Sequence, residues 1–232
     1  MEVADLWSDE NTPRTKSFQV LNRLYQAIVE GYLRPGQVIN VSHLAQHLQV
    51  SRTPVREALQ ILAQEGLVEP RGQRGLQVVN ITEGLVDQLF SVRTPLEILA
   101  VQLACDNIED EAQLDQAYDC IEQASTAWGQ GYIPGLVQAN TEFHHILVQL
   151  SQNQYLITAM KRLLLHASLV MMASLTVNLR PNKTIQEHKH VLEALSNKDH
   201  ETAADLIRDH MLQAKESALT HLRSNPLLEG IP

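Results

Sequence analysis

Three stretches carry residues whose types and spacing suit metal chemistry. In QANTEFHHILVQL, Asn140 and His144 stand four residues apart, so on a helix their side chains share one face. His188 in QEHKHVLEAL and His210 in IRDHMLQA fall on the two arms of a helical hairpin predicted to turn at Ser196 to Asp199. His188 lies eight residues before that turn and His210 eleven after it, roughly 12 and 16 Å along the arms at about 1.5 Å per residue. Three imidazoles and an amide oxygen can therefore meet at one level of a helical bundle. A nitrogen-rich set of this kind suits a divalent transition metal, Zn, Ni, Fe or Mn, rather than Ca or Mg. The alternative for any helical histidine is a hydrogen-bonded core or surface side chain, and that reading is taken for His145, His166, His190, His200 and His221.

A second group is basic. VSRTPVREALQILAQEGLVEP, residues 50–70, sets Arg52 and Arg56 one turn apart at the start of an amphipathic helix. An arginine fork binds guanine O6 and N7, or a phosphate, through two parallel hydrogen bonds, and a helix N-terminus itself favours anions. Arg52, Thr53 and Arg56 are thus placed to meet DNA, with Arg71 and Arg74 at the tip of a following Gly-rich turn reaching the adjacent backbone or minor groove. The competing reading makes Arg52 and Arg56 solvated surface residues, Arg56 paired with nearby glutamates.

The elements that must position these groups are legible from periodicity. Val20, Leu21, Leu24, Ile28 and Leu33 recur at helical spacing up to Arg34-Pro35-Gly36. A short helix is expected over HLAQHLQ with Ser42 as N-cap, then a third capped by Ser51 with Pro54 in its first turn, ending at Glu65-Gly66. Two short β-type runs follow in LVEPRGQRGLQVVN. Three helices and a hairpin give the order of a winged helix-turn-helix, whose third helix enters the major groove. From about residue 80 the chain reads as all helical: a helix from Thr82 that Pro95 should kink or break, then helices over 110–129, 134–151, 154–178, about 183–196 and 199–223. The predicted fold is mainly α, an N-terminal winged helix-turn-helix domain over 11–79 and an all-α bundle of about six helices over 80–232, with residues 1–10 expected to form a disordered acidic tail.

Charge follows the same division. The 232 residues carry a net charge of -9, with 44% hydrophobic and 19% charged residues. Residues 11–79 hold 8 Lys and Arg against 4 Asp and Glu, whereas 80–232 hold 10 against 19. A small basic module joined to an acidic one is expected when one part alone meets a polyanion. The N-terminus lacks the basic start and apolar run of a signal peptide, and no apolar stretch is read as reaching a membrane span; LLLHASLVMMASLTV at 163–177 is judged too short. Cys105 and Cys120 match no CxxC pattern, so neither a disulfide framework nor a thiolate metal site is expected, and a cytoplasmic protein without membrane partners is the default.

Two resemblances add to this reading. GYLRPGQVINVSHLAQHLQVSRTPVREALQILAQEGLVEPRGQRGLQV resembles the DNA-binding domain of the GntR family of bacterial transcription regulators over about residues 17–79. That likeness implies a homodimer on a double-stranded operator with two-fold symmetry, and the family's DNA-contacting positions fall on Arg52, Thr53, Arg56 and Gly75. NTEFHHILVQLSQN and EHKHVLEAL…KDHETAADLIRDHM are similar to the two signatures of the FCD domain, the ligand-binding half of the FadR subfamily. Asn140, His144, His188 and His210 fall on that family's four metal-ligand positions, with Asn140 where many members have Asp, which keeps an oxygen but removes a charge. SVRTPLEILAVQLA looks like the family's V-R-x-x-L-E-x-x-A helix, which implies an effector-binding Arg93; the alternative is an i,i+4 pair of Arg93 with Glu97. The reading implied is a repressor, not an enzyme, whose operator binding responds to a small carboxylate bound at the metal. Alternatives left open are a metal that is itself the signal or purely structural, a metal-free apolar cavity for a longer acyl ligand, and a metallohydrolase fused to a DNA-binding module, against which stands the lack of an HExxH helix.

Overall fold

The computed structural model describes residues 15–72, 75–174 and 180–224, and the chain divides into two compact units between Ile81 and Thr82. Residues 1–14, and with them the expected tail, and Arg74 lie outside the described residues.

In the first unit, α1 (Lys16–Val29) begins where Thr15 Oγ1 accepts from the Phe18 amide, and it buries Val20, Leu21, Leu24, Tyr25 and Ile28 on one face. β1 (Val38–Ile39) follows, then α2 (Val41–His47). The N-cap of α2 is Asn40, not Ser42: Asn40 Oδ1 accepts from the amides of both Ser42 and His43. An Asn side chain at that position satisfies two orphan donors at once, which a serine two residues on cannot do. α3 (Arg52–Gln64) starts after Ser51, which has the extended backbone of an N-cap but makes no side-chain cap bond, and ends before Gly66 at φ 76. Val55, Ala58, Leu59 and Leu62 bury its inner face against α1.

β2 (Val68–Pro70) and β3 (Leu76–Val78) form the wing hairpin, with Arg71 N–H donating to the Gly75 carbonyl at 2.9 Å. β1 adds to the other edge of β3, so the sheet has order β1-β3-β2, antiparallel throughout, with Ile39 opposite Leu76 and Val68 opposite Val78. This third strand was not expected from the sequence. Gly36 donates to the Val78 carbonyl at φ 74, and a Cβ there would come within 2.4 Å of Asn80 Oδ1. Gly36→Ala combines a left-handed backbone penalty with that clash, and should cost about 2 kcal/mol. A lower thermal midpoint is the expected readout; an unchanged one would mean that neither the left-handed backbone nor Asn80 resists the added methyl.

The second unit is a bundle of α4 (Glu83–Asn107), α5 (Asp115–Gly129) after a 3-10 turn at Glu111–Leu114, α6 (Ile133–Leu150), α7 (Gln154–Ser174), α8 (Pro181–Ser196) and α9 (His200–Ser224). Thr82 Oγ1 accepts from the Leu85 amide and starts α4. Pro95 does not break α4: the helix runs through it for 25 residues. Pro95 and Ser91 are both exposed, so the Ser91 carbonyl left without a helical donor faces solvent. α4 packs on α9 and α6, α5 on α6, and α8 on α9. The α8–α9 hairpin turns at Asn197 to Asp199 with Lys198 at φ 53, and Asp199 caps α9 through the Thr202 amide. The core includes Ala100, Val148, Leu156, Ile157, Met160 and Leu164. Contrary to the sequence expectation, α7 is long and apolar enough to cross a membrane by length and composition, with a mean hydropathy of 1.4 over 18 residues. It packs against α4, α6 and α9, and 44% of that window is buried in the bundle.

Candidate metal centre and nucleic-acid interface

Three helices deliver the three histidines to one point. His144 comes from α6, His188 from α8 and His210 from α9, all buried, with one ligand nitrogen from each lying within 4.8 Å of the others. His210 Nε2 is 3.3 Å from His144 Nε2 and 3.4 Å from His188 Nε2. The His188 ring stacks on Phe143 at 3.8 Å between centroids, 11° from parallel, which holds its plane.

Two carboxylates orient the outer nitrogens. His144 Nδ1 donates to Glu97 Oε2 at 3.1 Å, and His210 Nδ1 donates to Glu187 Oε2 at 2.9 Å. Glu97 also accepts from Arg93, Nε at 2.9 Å and Nη2 at 2.8 Å on Oε1, and Glu187 pairs with Arg180. The result is two matching chains, Arg93-Glu97-His144 and Arg180-Glu187-His210, that meet at the two Nε2 atoms. An ionised carboxylate can only accept, so each Nδ1 must carry its hydrogen, and in a neutral ring the Nε2 then holds the lone pair. With both rings neutral, the two Nε2 lone pairs face each other at 3.3 Å and repel unless a proton or a metal ion lies between them. Two nitrogens bound about 2.0–2.1 Å from one ion at a near-tetrahedral angle would stand about 3.3 Å apart, so the donor set fits a transition metal.

Protonation states follow from burial. Burial pushes His144 down to about 4 against the pull of Glu97, and pushes His188 well below the histidine range, with the facing His210 and His144 adding to the effect. Burial pushes the Glu97 carboxyl up, but His144 and Arg93 outweigh it and hold the group at about 2. With His144 neutral above about 4, Arg93 is the cation that keeps Glu97 ionised at neutral pH. The Glu187 carboxyl is likewise pushed up by burial and held below its ordinary range by His210 and Arg180.

These values set an acid dependence. Both buried imidazoles titrate below the unfolded value of about 6.5, so between about pH 6.5 and 4 the unfolded chain binds more protons. Stability is fully present above that window and is lost as pH falls through it; for His144 the displacement corresponds to about 3 kcal/mol. The metal-free protein should lose thermal midpoint between about pH 7 and pH 5, and a flat profile would mean that neither imidazole is held neutral.

Asn140 and Arg93 line a cavity of about 100 Å³ together with His144 and His210. Arg93 lines this cavity and also makes the i,i+4 pair with Glu97. Sequence reasoning read Glu97 only as a partner of Arg93 and missed Glu187 and Arg180, although Glu187 is the residue immediately before His188. On the first unit, Arg52, Thr53 and Arg56 are exposed at the N-terminal end of α3, and among the described residues Arg52 and Arg56 make no ion pair. Glu57, a nearby glutamate, instead accepts from Ser17 of α1. Arg71 and Gly75 close the base of the wing tip, with Gly75 at φ 116.

Comparisons agree with both halves. Residues 16–78 match the family described as bacterial regulatory proteins, gntR family, and residues 88–213 match the FCD domain. The HTH-type transcriptional regulator YdhC of Bacillus subtilis (strain 168) is 30% identical over 209 residues, 89% of this chain and 91% of that protein. A protein of Paenarthrobacter nicotinovorans named as a D-xylose utilization operon transcriptional repressor is 27% identical over 89% of this chain and 90% of its own length. The crystal structure of a transcriptional regulator GntR from Rhodococcus sp. RHA1 superposes with a TM-score of 0.78 at 25% identity, covering 88% of this chain and 98% of that one.

Proposed function

The chain belongs to the GntR family of bacterial transcription regulators and carries an FCD domain, and from that premise we propose that a metal centre in its C-terminal bundle makes operator binding answer to a small carboxylate. It is a DNA-binding regulator, not an enzyme. In this reading residues 11–79 hold DNA through Arg52, Thr53, Arg56, Gly75 and the wing arginines Arg71 and Arg74, and residues 80–232 form the effector-binding and dimerisation domain of a cytoplasmic homodimer on a two-fold symmetric operator.

The observation that carries the proposal is the convergence of the Nε2 atoms of His144, His188 and His210 on one buried point. His144, His188, His210 and Asn140 would hold the ion. A bound Zn, Ni, Fe or Mn supplies a positive charge and open coordination to an incoming carboxylate. Glu97 and Glu187 keep the imidazoles in the ligating tautomer, while Arg93, at the cavity wall, can turn from Glu97 towards an anionic oxygen. Arg93 and Glu97 both belong to α4, the first helix after the link around residues 79–84, so a shift of either bears on the element that continues into the DNA-binding part. A ligand that binds one arrangement better shifts the population between them. Release of a repressor by its ligand is the sign we adopt, supported by the repressor name of one relative. The test is elemental analysis of purified protein, then operator binding by fluorescence anisotropy with a carboxylate panel, with and without chelator. Near-stoichiometric metal and a chelator-sensitive loss of DNA affinity are expected; a metal-free protein with unaltered DNA binding would overturn the reading.

A further inference from the structure

Around the cavity the bundle is built in rungs. Glu97 of α4, His144 of α6, His188 of α8 and His210 of α9 form the first. Four residues earlier in α4, α6 and α8, and four later in the oppositely running α9, come Arg93, Asn140, Thr184 and Ala214. Seven or eight residues from the first rung come Phe90, Leu136, Pro181 and Ala218. These rungs lie roughly 6 and 11 Å along the helices from the histidines. The cavity therefore passes from nitrogen ligands, through one rung that holds an arginine, an amide and a hydroxyl, to a mainly apolar floor at which, among the described residues, Ser217 and Ser174 add two hydroxyls and Arg180 is tied to Glu187. Val170 and Met171 of α7 add further apolar wall.

Charge and size narrow what fits. Of the two arginines on the cavity wall, Arg180 is held by Glu187, so once Arg93 has turned from Glu97 to one carboxylate no unmatched cationic side chain of the described wall awaits a second. The volume is about 100 Å³, less than the roughly 150 Å³ of an apolar cavity that takes up benzene. A chain of hydroxyls laid on Phe90, Leu136 and Met171 would outnumber the hydroxyls of Ser174 and Ser217, the partners the described floor offers, and each unpaired hydroxyl should weaken binding about tenfold.

We propose that the effector is a monocarboxylic acid with a short aliphatic tail, about three to five carbons long, its carboxylate at the rung of Arg93 and Asn140 and its hydrocarbon on Phe90, Leu136 and Ala218. The inference rests on the reading above that this cavity holds the effector, and it excludes sugar acids and di- or tricarboxylates as the preferred ligand.

The experiment is calorimetry on the full-length zinc-loaded protein with acetate, propionate, butyrate, valerate and heptanoate, beside gluconate, succinate and citrate. Affinity should rise about fourfold per added methylene until the floor is filled, then fall for heptanoate. Gluconate, succinate and citrate should bind at least about tenfold more weakly than butyrate. Ala218→Leu, with zinc content as the check on folding, should erase the gain with chain length. Should that variant not fold, Leu136→Ala gives the opposite readout, an optimum moved to a longer acid. Binding that favours gluconate, succinate or citrate, or that ignores chain length, overturns this inference and leaves the carboxylate sensor standing. Failure of every acid to bind overturns both.

Discussion

His210→Ala should abolish metal uptake while leaving the chelated protein folded. His210 is the hinge of the cluster, the one imidazole whose Nε2 has measured contacts to both of the others, at 3.3 and 3.4 Å. Outer carboxylate partners of a ligating histidine are worth about 10–100-fold in metal affinity, so loss of the histidine itself should exceed about 100-fold. In wild-type protein, metal at about 100 times its dissociation constant raises stability by about 2.7 kcal/mol, and the variant should lose that rise. The metal-free state behaves differently. There a neutral His210 ring sets its Nε2 lone pair against those of its neighbours, so its removal relieves that repulsion while it opens a small cavity and leaves Glu187 with Arg180 alone. A purely structural His210 predicts the reverse pattern: a lower midpoint in chelator and an unaltered response to metal. Glu97→Gln separates ligation from orientation, with metal binding weakened about 10–100-fold but not lost.

The centre was partly legible because α8 and α9 are neighbours in sequence. A turn at residues 196–199 and the 1.5 Å rise bring His188 and His210 to one level, and their Nε2 atoms are 3.4 Å apart. Helical spacing also put Asn140 with His144, and both line the cavity. Glu97 could not be found that way. It meets His144 across 47 residues, through packing of α4 on α6 that no local pattern encodes. The same reason hides β1, a two-residue strand that exists only through its pairing with β3 nearly forty residues on. The cap of α2 failed for a local reason: Asn40 and Ser42 are both good caps, and the choice depends on where the chain leaves β1. Of the kink or break expected at Pro95 the break does not occur, because a proline's cost in a helix depends on whether the freed carbonyl meets water, and exposure is not written in the sequence.

The second large effect concerns DNA. Arg52→Ala and Arg56→Ala should each cost about 1–3 kcal/mol per half-site, hence about 2–6 kcal/mol for a dimer, or about 30-fold to 10⁴-fold in operator affinity. Both side chains are exposed at the start of α3, where the amides of the first turn lack helical partners and the dipole is positive. Among the described residues neither arginine is tied to a carboxylate, so its charge is not already spent within the fold. The two can be told apart by salt. An arginine on a phosphate supplies counterion release, and its loss should weaken binding on every sequence and lower the salt slope by about one per contact, two per dimer. An arginine on guanine should leave the slope nearly unchanged and instead relax discrimination at one base pair of each half-site. Because Arg56 is one turn deeper into the helix than Arg52, we expect the base-reading pattern for Arg56 and the phosphate pattern for Arg52. Anisotropy titrations of both variants over a salt series, on the operator and on a version mutated at one guanine per half-site, decide it. If both variants bind like wild type at every salt concentration, the DNA surface does not lie at the start of α3.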